Sequence, residues 1–178
     1  ILNINDCGIR NAPQAEYIIN KVGKVDILLT QFSYAYWAGN KDEYEYRKKV
    51  ADEKLVSMKF QVDMFKPTVT IPIASYIYFC HEENFYLNDA VNTAEKTYNF
   101  LKKNTSTTPV ILYNGDEYVY PQNWDSVKSI ENYKNDFKNI ELSPEKLVKN
   151  NPVPLGDVNA QAKAFLENLK NTNNILVK

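Results

Sequence analysis

The sequence predicts an α/β fold built on a parallel sheet, and three observations support this prediction. Short apolar runs alternate with longer segments of helical periodicity over the first 120 residues. The apolar runs are nearly continuous, which is typical of strands that are buried on both faces of a sheet. An apolar fraction of 44% over 178 residues is enough to form a substantial core, which excludes a wholly disordered chain.

The first three predicted elements are a strand, a helix and a strand. The apolar residues 1–5 predict the first strand. A helix over 13–22 is predicted to begin at Pro13 and to end before Gly23, because proline suits the first turn of a helix and glycine the residue after its last turn. The run V-D-I-L-L-T at 25–30 predicts the second, buried strand.

The longest predicted helix covers residues 43–65. Pro67 is expected to stop it, because the residue before a proline avoids helical backbone angles. The β-branched segment 68–73 then predicts a third strand. The apolar side chains of the helix recur at helical spacing and form one face: Ala51, Leu55, Met58, Val62 and Phe65.

A third helix and two short strands are predicted next. Asp89 is an expected helix cap, and the helix over 89–102 carries its apolar side chains on one face. A strand at 110–113 follows, and an Asn-Gly-Asp turn leads to a last strand at Tyr118–Tyr120.

The chain becomes more polar after residue 120. Residues 122–156 carry three prolines and predict helices on the outside of the fold, and a final amphipathic helix is predicted over 157–169. We therefore predict one domain over residues 1–120 and a helical C-terminal extension, residues 121–178, packed on it.

The composition and the absent motifs exclude several function classes. With 21 basic and 22 acidic residues, the formal net charge of −1 argues against a surface for nucleic acid or for an anionic membrane. No apolar run approaches the roughly 20 residues of a membrane span. Two cysteines are too few for a disulfide scaffold, which indicates a reducing compartment and predicts a cytoplasmic location. The sequence contains no P-loop, no G-x-G-x-x-G and no G-x-S-x-G.

Two polar residues at predicted strand ends are candidate metal ligands. Asp6 directly follows the first strand in N-D-C-G, a position where the sheet holds the backbone of a carboxylate ligand; an Asx-turn or a helix cap is the alternative. His81, the only histidine, follows the third strand and an aromatic run, although a lone histidine can also be structural or merely exposed. Since a catalytic zinc site needs about three protein ligands, these two residues cannot complete one.

An aromatic loop after the second strand is a candidate surface for stacking a sugar or a base, or else a packing element. Its candidate substrate-binding residues are Tyr34, Tyr36 and Trp37.

Four segments together resemble a known family: N-D-C-G, V-D-I-L-L-T-Q-F-S, P-T-V-T-I-P-I-A-S-Y and H-E-E-N-F-Y-L-N-D. Residues 1–120 resemble the C-terminal half of a metallo-β-lactamase-fold domain. They are most similar to the bacterial polysaccharide-locus members and to the lactamase-like part of CMP-N-acetylneuraminate hydroxylase. The resemblance implies half of an αββα sandwich, followed here by the helical appendage.

The resemblance also implies roles for the candidate residues. Asp6 matches the bridging aspartate of a dinuclear site and His81 matches its last histidine, with Zn, Mn or Fe as the divalent metal. Gly115 and Asp116 match a turn that follows the last histidine in these relatives. Tyr76 and Tyr78, like the aromatic loop, would then lie near the substrate.

The family's early H-x-H-x-D-H metal-binding loop is absent from this chain. Because the chain also starts at Ile1, without Met and inside a predicted strand, we expect an N-terminal half that is missing or is supplied by another chain. A degenerate relative is the alternative. If half of the domain is missing, an apolar face or edge of the sheet should be left exposed. Asp6 and His81 should lie at the same edge of the sheet.

The resulting hypothesis is that this chain is part of a metal-dependent hydrolase-like protein, which acts on a small molecule such as a carbohydrate or sugar nucleotide. This chain alone is expected to be inactive. One alternative is a metal-free module that binds a sugar nucleotide or a partner. The other is the lactamase-like part of a Rieske-type sugar-nucleotide hydroxylase, whose iron–sulfur domain would lie outside this chain.

Overall fold

The computed structural model of this chain describes residues 1–141, 143 and 147–172. The chain divides into two compact units, Ile1–Leu147 and Val148–Lys178. The first unit has a parallel sheet with strands in consecutive order. The predicted α/β class is thus confirmed, and the predicted strands near 1–5, 25–30 and 68–73 do share one sheet. The predicted strand at 110–113 is wrong, because the fourth strand of the sheet ends just before it and residues 110–113 are irregular. The strands are β1 (Leu2–Asn3), β2 (Ile27–Thr30), β3 (Val69–Pro72) and β4 (Thr108–Pro109).

Helices connect these strands, and a short 3₁₀ segment precedes the third helix. The helices of the first unit are α1 (Ala12–Val22), α2 (Tyr44–Phe65), α3 (Ala94–Asn104) and α4 (Ser126–Glu141), and the 3₁₀ segment is Glu82–Asp89. Parallel strands in consecutive order, joined by crossovers of one hand, place their connecting helices on the same face of the sheet. Accordingly, α1 packs against α2 and α2 against α3.

The main core lies between the sheet and this helical layer. Leu28 of β2 is fully buried there, and it pairs in register with Leu2 of the neighbouring strand. It belongs to one cluster with Ala15 of α1 and Leu101 of α3. The five residues predicted as the apolar face of α2 are all buried, which confirms that face: Ala51, Leu55, Met58, Val62 and Phe65.

The ends of the helices agree with the sequence in one case and differ in another. At α1, the Asn11 side chain accepts a hydrogen bond from the Gln14 amide (3.1 Å), and Gly23 follows the last turn as predicted. The predicted cap of the third helix at Asp89 is wrong, because Thr93 caps α3 by accepting from the Lys96 amide (3.1 Å). The Asp89 carboxylate is instead bound to Arg47.

The second face of the sheet carries an apolar cluster. Its buried members are Ile27, Val69, Ile71 and Val110, and Tyr118 and Trp124 are packed against them. Other apolar side chains of this face are only half-buried: Leu29, Ile73 and Leu112.

The predicted strand at Tyr118–Tyr120 is wrong: these residues cross the second face as an irregular segment. Directly after β4, the Val110 amide still donates to the Thr70 carbonyl of β3 (2.9 Å), whereas the backbone of Ile111 is bound to side chains. The Ile111 carbonyl accepts a hydrogen bond from Trp124 Nε1 (2.8 Å), and its amide donates to the Ser126 hydroxyl (3.0 Å). No further strand is therefore needed to satisfy the backbone of Ile111.

Helix α4 belongs to the first unit and extends its helical layer. Ile130 is buried with Ala94 and Ile111 in one cluster. The Ser129 hydroxyl donates to the Asp116 carboxylate (2.6 Å), which also accepts from the Tyr113 amide (2.8 Å). These two hydrogen bonds lower the pKa of Asp116 below its ordinary value.

The second unit contains the final helix, α5 (Leu155–Thr172), which includes the helix predicted over 157–169. Its apolar residues Val158, Phe165 and Leu166 are exposed. In the described part of the chain, no helix has both the length and the apolar composition needed to cross a bilayer.

Ala74, just after β3, has a φ of 54°, in the left-handed region that favours glycine. The next residue, Ser75, is buried, and its hydroxyl accepts from the Phe32 amide (3.1 Å) and donates to the Ser33 carbonyl (3.3 Å). The turn at Ala74 therefore fastens the end of β3 to the loop that follows β2.

Replacing Ala74 with glycine is expected to stabilise the protein by about 0.5–1 kcal/mol, because glycine adopts positive φ without steric cost and the Ala74 methyl is exposed. Urea denaturation would measure the change. Ala35→Gly is the matched control, because Ala35 is exposed but outside the left-handed region, so it should give no gain. Equal effects of the two substitutions would show that Ala74 is not strained.

Candidate functional site

A cleft of about 780 Å³ opens at the carboxyl ends of β1 and β2, beside α2. The segment after β1 contributes Asp6, the end of β2 contributes Thr30 and Gln31, and α2 contributes Lys54 and Gln61. In parallel α/β sheets, ligands bind outside the carboxyl ends of the strands. This cleft is therefore the candidate functional site.

The Asp6 carboxylate is held at the cleft by an amide. Gln31 donates a hydrogen bond from Nε2 to Asp6 Oδ1 (3.3 Å), and Gln31 Oε1 accepts one from Lys54 Nζ (3.4 Å). These contacts join β1, β2 and α2 at one point. They leave the second carboxylate oxygen of Asp6 without a hydrogen bond among the described residues, so this oxygen can serve a ligand.

Arg10 and Lys54 bring two positive charges to the cleft. Neither cation forms an ion pair with a carboxylate of the described residues; the Lys54 ammonium lies 5.5 Å from the centre of the Tyr36 ring. Burial lowers the pKa of Lys54, and the charge of Arg10 lowers it further. Two nearby cations without anionic partners favour the binding of an anion.

The negative charges of the cleft are partly compensated. Asp6 accepts the hydrogen bond from Gln31, and Glu53 lies 3.9 Å from Lys49 on the same helix. Exposed ion pairs of this kind are weak, but they reduce the competition of Glu53 for Lys54.

Gln61 is the most deeply buried polar side chain of the cleft from α2, with 6% of its surface exposed. Its Oε1 accepts a hydrogen bond from the Thr30 hydroxyl, which fixes the orientation of the amide. The Nε2 amide has no hydrogen bond within the described residues. Two N–H donors of a positioned side chain are therefore available to a ligand in the cleft.

His81 follows β3 and immediately precedes the 3₁₀ segment. Its Nδ1 lies 3.8 Å from the Glu83 carboxylate. Asp6 is among the described residues that line the cleft, whereas His81 is not. That Asp6 and His81 share one metal site at the same sheet edge therefore stays a prediction.

The carboxylate of Asp6 and the imidazole of His81 are suitable metal ligands, but they form only part of a metal site. A carboxylate and an imidazole are both accepted by Zn²⁺ and Mn²⁺. However, no group of three or more His, Cys, Asp or Glu side chains is arranged to hold a metal within the residues that the structure describes. The two cysteines, Cys7 and Cys80, are free and exposed.

The aromatic candidates after β2 separate into packing and exposed residues. Tyr34 is fully buried; its hydroxyl donates to the Leu87 carbonyl (2.6 Å), and burial raises the pKa of Tyr34 to about 12. Tyr36 and Trp37 are exposed, and Tyr36 lines the cleft. Tyr36 is thus the aromatic residue of this loop that a ligand in the cleft can contact.

The two tyrosines after β3 pack against α4. Tyr76 stacks on Tyr133 with ring centres 4.1 Å apart, and its hydroxyl donates to the Pro72 carbonyl (3.2 Å). Tyr78 lies against Phe137, with ring centres 5.6 Å apart. That either tyrosine contacts substrate stays a prediction.

Sequence reasoning missed most of the polar residues that line the cleft, among them Arg10, Gln31, Lys54 and Gln61. One signal could have found the two residues of α2. Lys54 and Gln61 are seven positions apart and so lie on one face of the helix, next to the apolar face that packs on the sheet. Gln31 has the signal that singled out Asp6, because it directly follows a strand. Arg10 has no comparable local signal.

Compared with known proteins, the chain matches no family model, no curated protein and no solved structure.

Proposed function

We propose that this chain is part of a metal-dependent, hydrolase-like domain of the metallo-β-lactamase class, in which Asp6 and His81 are two of the metal ligands. The observation that carries the proposal is the position of Asp6: its carboxylate follows β1 at the carboxyl edge of the sheet and lines the cleft, with one oxygen available. Asp6 lies in the turn after β1, and the Gln31 amide holds its carboxylate in place, as metal geometry requires.

The layers of the first unit support this proposal. Helices cover one face of the sheet, and the other face carries the apolar cluster around Ile27, Val69 and Ile71. An αββα sandwich has this arrangement in each half, where the second face of the sheet packs on a second sheet. The remaining ligands and the second sheet would come from an N-terminal half or from another chain.

A divalent ion at such a site would supply a water molecule acidic enough to act as a nucleophile near neutral pH. Asp6 would contribute a hard, negatively charged oxygen, and His81 a neutral imidazole. The cleft beside Asp6 would hold a small substrate, for which a carbohydrate or sugar nucleotide is our proposal, and Tyr36 would offer a ring surface to it.

The proposal predicts weak metal binding by the 178-residue chain that depends on both ligands. Asp6→Asn and His81→Ala are each expected to lower the affinity for Mn²⁺ or Zn²⁺ by at least about tenfold, because each removes a donor from an incomplete shell. Isothermal titration calorimetry measures these affinities. Glu16→Gln, which removes an exposed carboxylate on α1, is the control and should change nothing.

The same chain should not hydrolyse bis(p-nitrophenyl) phosphate with either metal, because two ligands leave an open and wrongly shaped site. Metal affinity that is unchanged in both the Asp6 and the His81 variants would refute the proposal. Hydrolysis that His81→Ala destroys would show that the chain already contains a complete site.

A further inference from the structure

We propose that the cleft contains an oxyanion subsite, formed by Arg10, Lys54 and Gln61, that binds a phosphate or carboxylate group of the substrate. This inference rests on the proposed function in one respect, since it assigns a charged group to the substrate of the same cleft. The residues involved are distinct from the proposed metal ligands, so the two can be tested separately.

The first argument is the unsatisfied positive charge. Arg10 and Lys54 both line the cleft, and neither has a carboxylate partner within the described residues. A guanidinium offers a planar fork of N–H donors that matches an oxyanion, and an ammonium adds a compact point charge. Lys54 is half-buried, so its charge is less screened by water than that of an exposed lysine.

The second argument is the buried amide at the back of the same surface. Gln61 is buried, and its Oε1 is bound by the Thr30 hydroxyl, so the side chain presents Nε2 as a donor. Buried polar groups in native proteins normally have hydrogen-bond partners. A ligand oxygen in the cleft would give Nε2 its partner.

The third argument is the chemistry of the donor set. The side chains of Arg10 and Lys54 can only donate hydrogen bonds, and the Gln61 oxygen is already used by Thr30. The complementary ligand is therefore a group that only accepts hydrogen bonds and carries negative charge, which describes phosphate and carboxylate. Tyr36 lies next to Lys54, where its ring can contact the uncharged part of the same molecule.

The test is a titration of the ¹⁵N-labelled 178-residue chain with inorganic phosphate and, separately, with acetate, both without metal and at constant ionic strength. Binding is measured from the side-chain amide resonance of Gln61. Lys54→Met and Arg10→Gln are each expected to weaken binding by about tenfold, which corresponds to the loss of one charge-assisted hydrogen bond. Lys54→Arg should retain most of the affinity, because it keeps the charge.

Lys48→Met is the matched control, because it removes the same charge from an exposed position on the same helix. It should leave the affinity unchanged. A preference for phosphate over acetate identifies a phosphate ester as the substrate class, and the reverse identifies a carboxylate; either result supports the subsite. A Gln61 resonance that shifts with neither anion overturns it, as does equal weakening by Lys48→Met and Lys54→Met.

Asp6→Asn separates this proposal from the metal proposal. It should weaken metal binding by at least about tenfold. It should leave anion affinity unchanged or slightly higher, because it removes a nearby negative charge. If Asp6→Asn leaves metal binding unchanged while Lys54→Met still weakens anion binding, the hydrolase-like function is refuted and the subsite stands. If Lys54→Met leaves anion binding unchanged while Asp6→Asn still weakens metal binding, the subsite is refuted and the metal ligands stand.

Discussion

Asp89→Ala is expected to lower the free energy of unfolding by about 3–5 kcal/mol, because it leaves the Arg47 guanidinium buried without a counter-ion. Only 1% of the Arg47 side chain is exposed, and both of its hydrogen bonds to Asp89 are short: Nε to Oδ1 at 2.8 Å and Nη2 to Oδ2 at 2.6 Å. The hydrogen bonds to Asp89 raise the pKa of Arg47, so the guanidinium stays charged.

Removing Arg47 should be less harmful than removing its partner. Asp89 keeps 37% of its side chain exposed, so water can solvate the carboxylate that Arg47→Met leaves behind. That variant also loses the hydrogen bonds to the carbonyls of Asn40 and Lys41, which connect α2 to the end of the aromatic loop. We expect a loss of about 1–2 kcal/mol, since methionine fills most of the volume.

Urea denaturation of the two single variants and the double variant measures both effects. The double variant should resemble Arg47→Met, because no buried charge remains in either. Equal losses from Asp89→Ala and Arg47→Met would contradict this account and would mean that water reaches the guanidinium.

Asn92→Asp is expected to destabilise the protein by at least about 3 kcal/mol at neutral pH, although the two side chains have the same shape. Asn92 is buried, and its Nδ2 donates to the carbonyls of Phe32 (2.7 Å) and Ala51 (2.6 Å). An aspartate would place a carboxylate oxygen against two carbonyl oxygens in the interior. The link that Asn92 makes between the loop after β2 and α2 would then be lost.

The effect of Asn92→Asp should depend on pH in a definite direction. Burial raises the pKa of the introduced carboxyl, so the folded protein holds that proton to a higher pH than the unfolded chain does. Stability should therefore be partly restored below about pH 4 and should fall as the pH rises through the raised pKa. Denaturation at a series of pH values measures this. Asn99→Asp, an exposed position on α3, is the control and should show neither effect.

Local patterns predicted the layers of the fold because the same residues determine both the pattern and the packing. The apolar run at Ile27–Thr30 is typical of a buried strand, and the spacing from Ala51 to Phe65 is typical of a helix that buries one face. The turn at Gly115 predicted the local structure less well. It predicts a hairpin, but the side chains of Trp124 and Ser126 bind the backbone of Ile111 in place of a strand.

The candidate site was only partly predictable, because most of it depends on how elements pack. The position of Asp6 follows from its place directly after a strand. Lys54 and Gln61 reach the cleft only because α2 lies across the ends of β1 and β2, and no local pattern shows where a helix will lie. Likewise, the sequence of the aromatic loop does not reveal that Tyr34 is buried while Tyr36 is exposed.

The consecutive order of the parallel strands has a consequence for how the cleft forms during synthesis. Its lining comes from one continuous stretch, Asn5 to Gln61, which is the first β-α-β-α portion of the chain. The contacts that build the cleft, such as Gln31 with Asp6 and Thr30 with Gln61, lie within this stretch, so none of them requires the later part of the chain. Since chains fold as they emerge from the ribosome, the walls of the cleft can associate before β4 and α4 have been made.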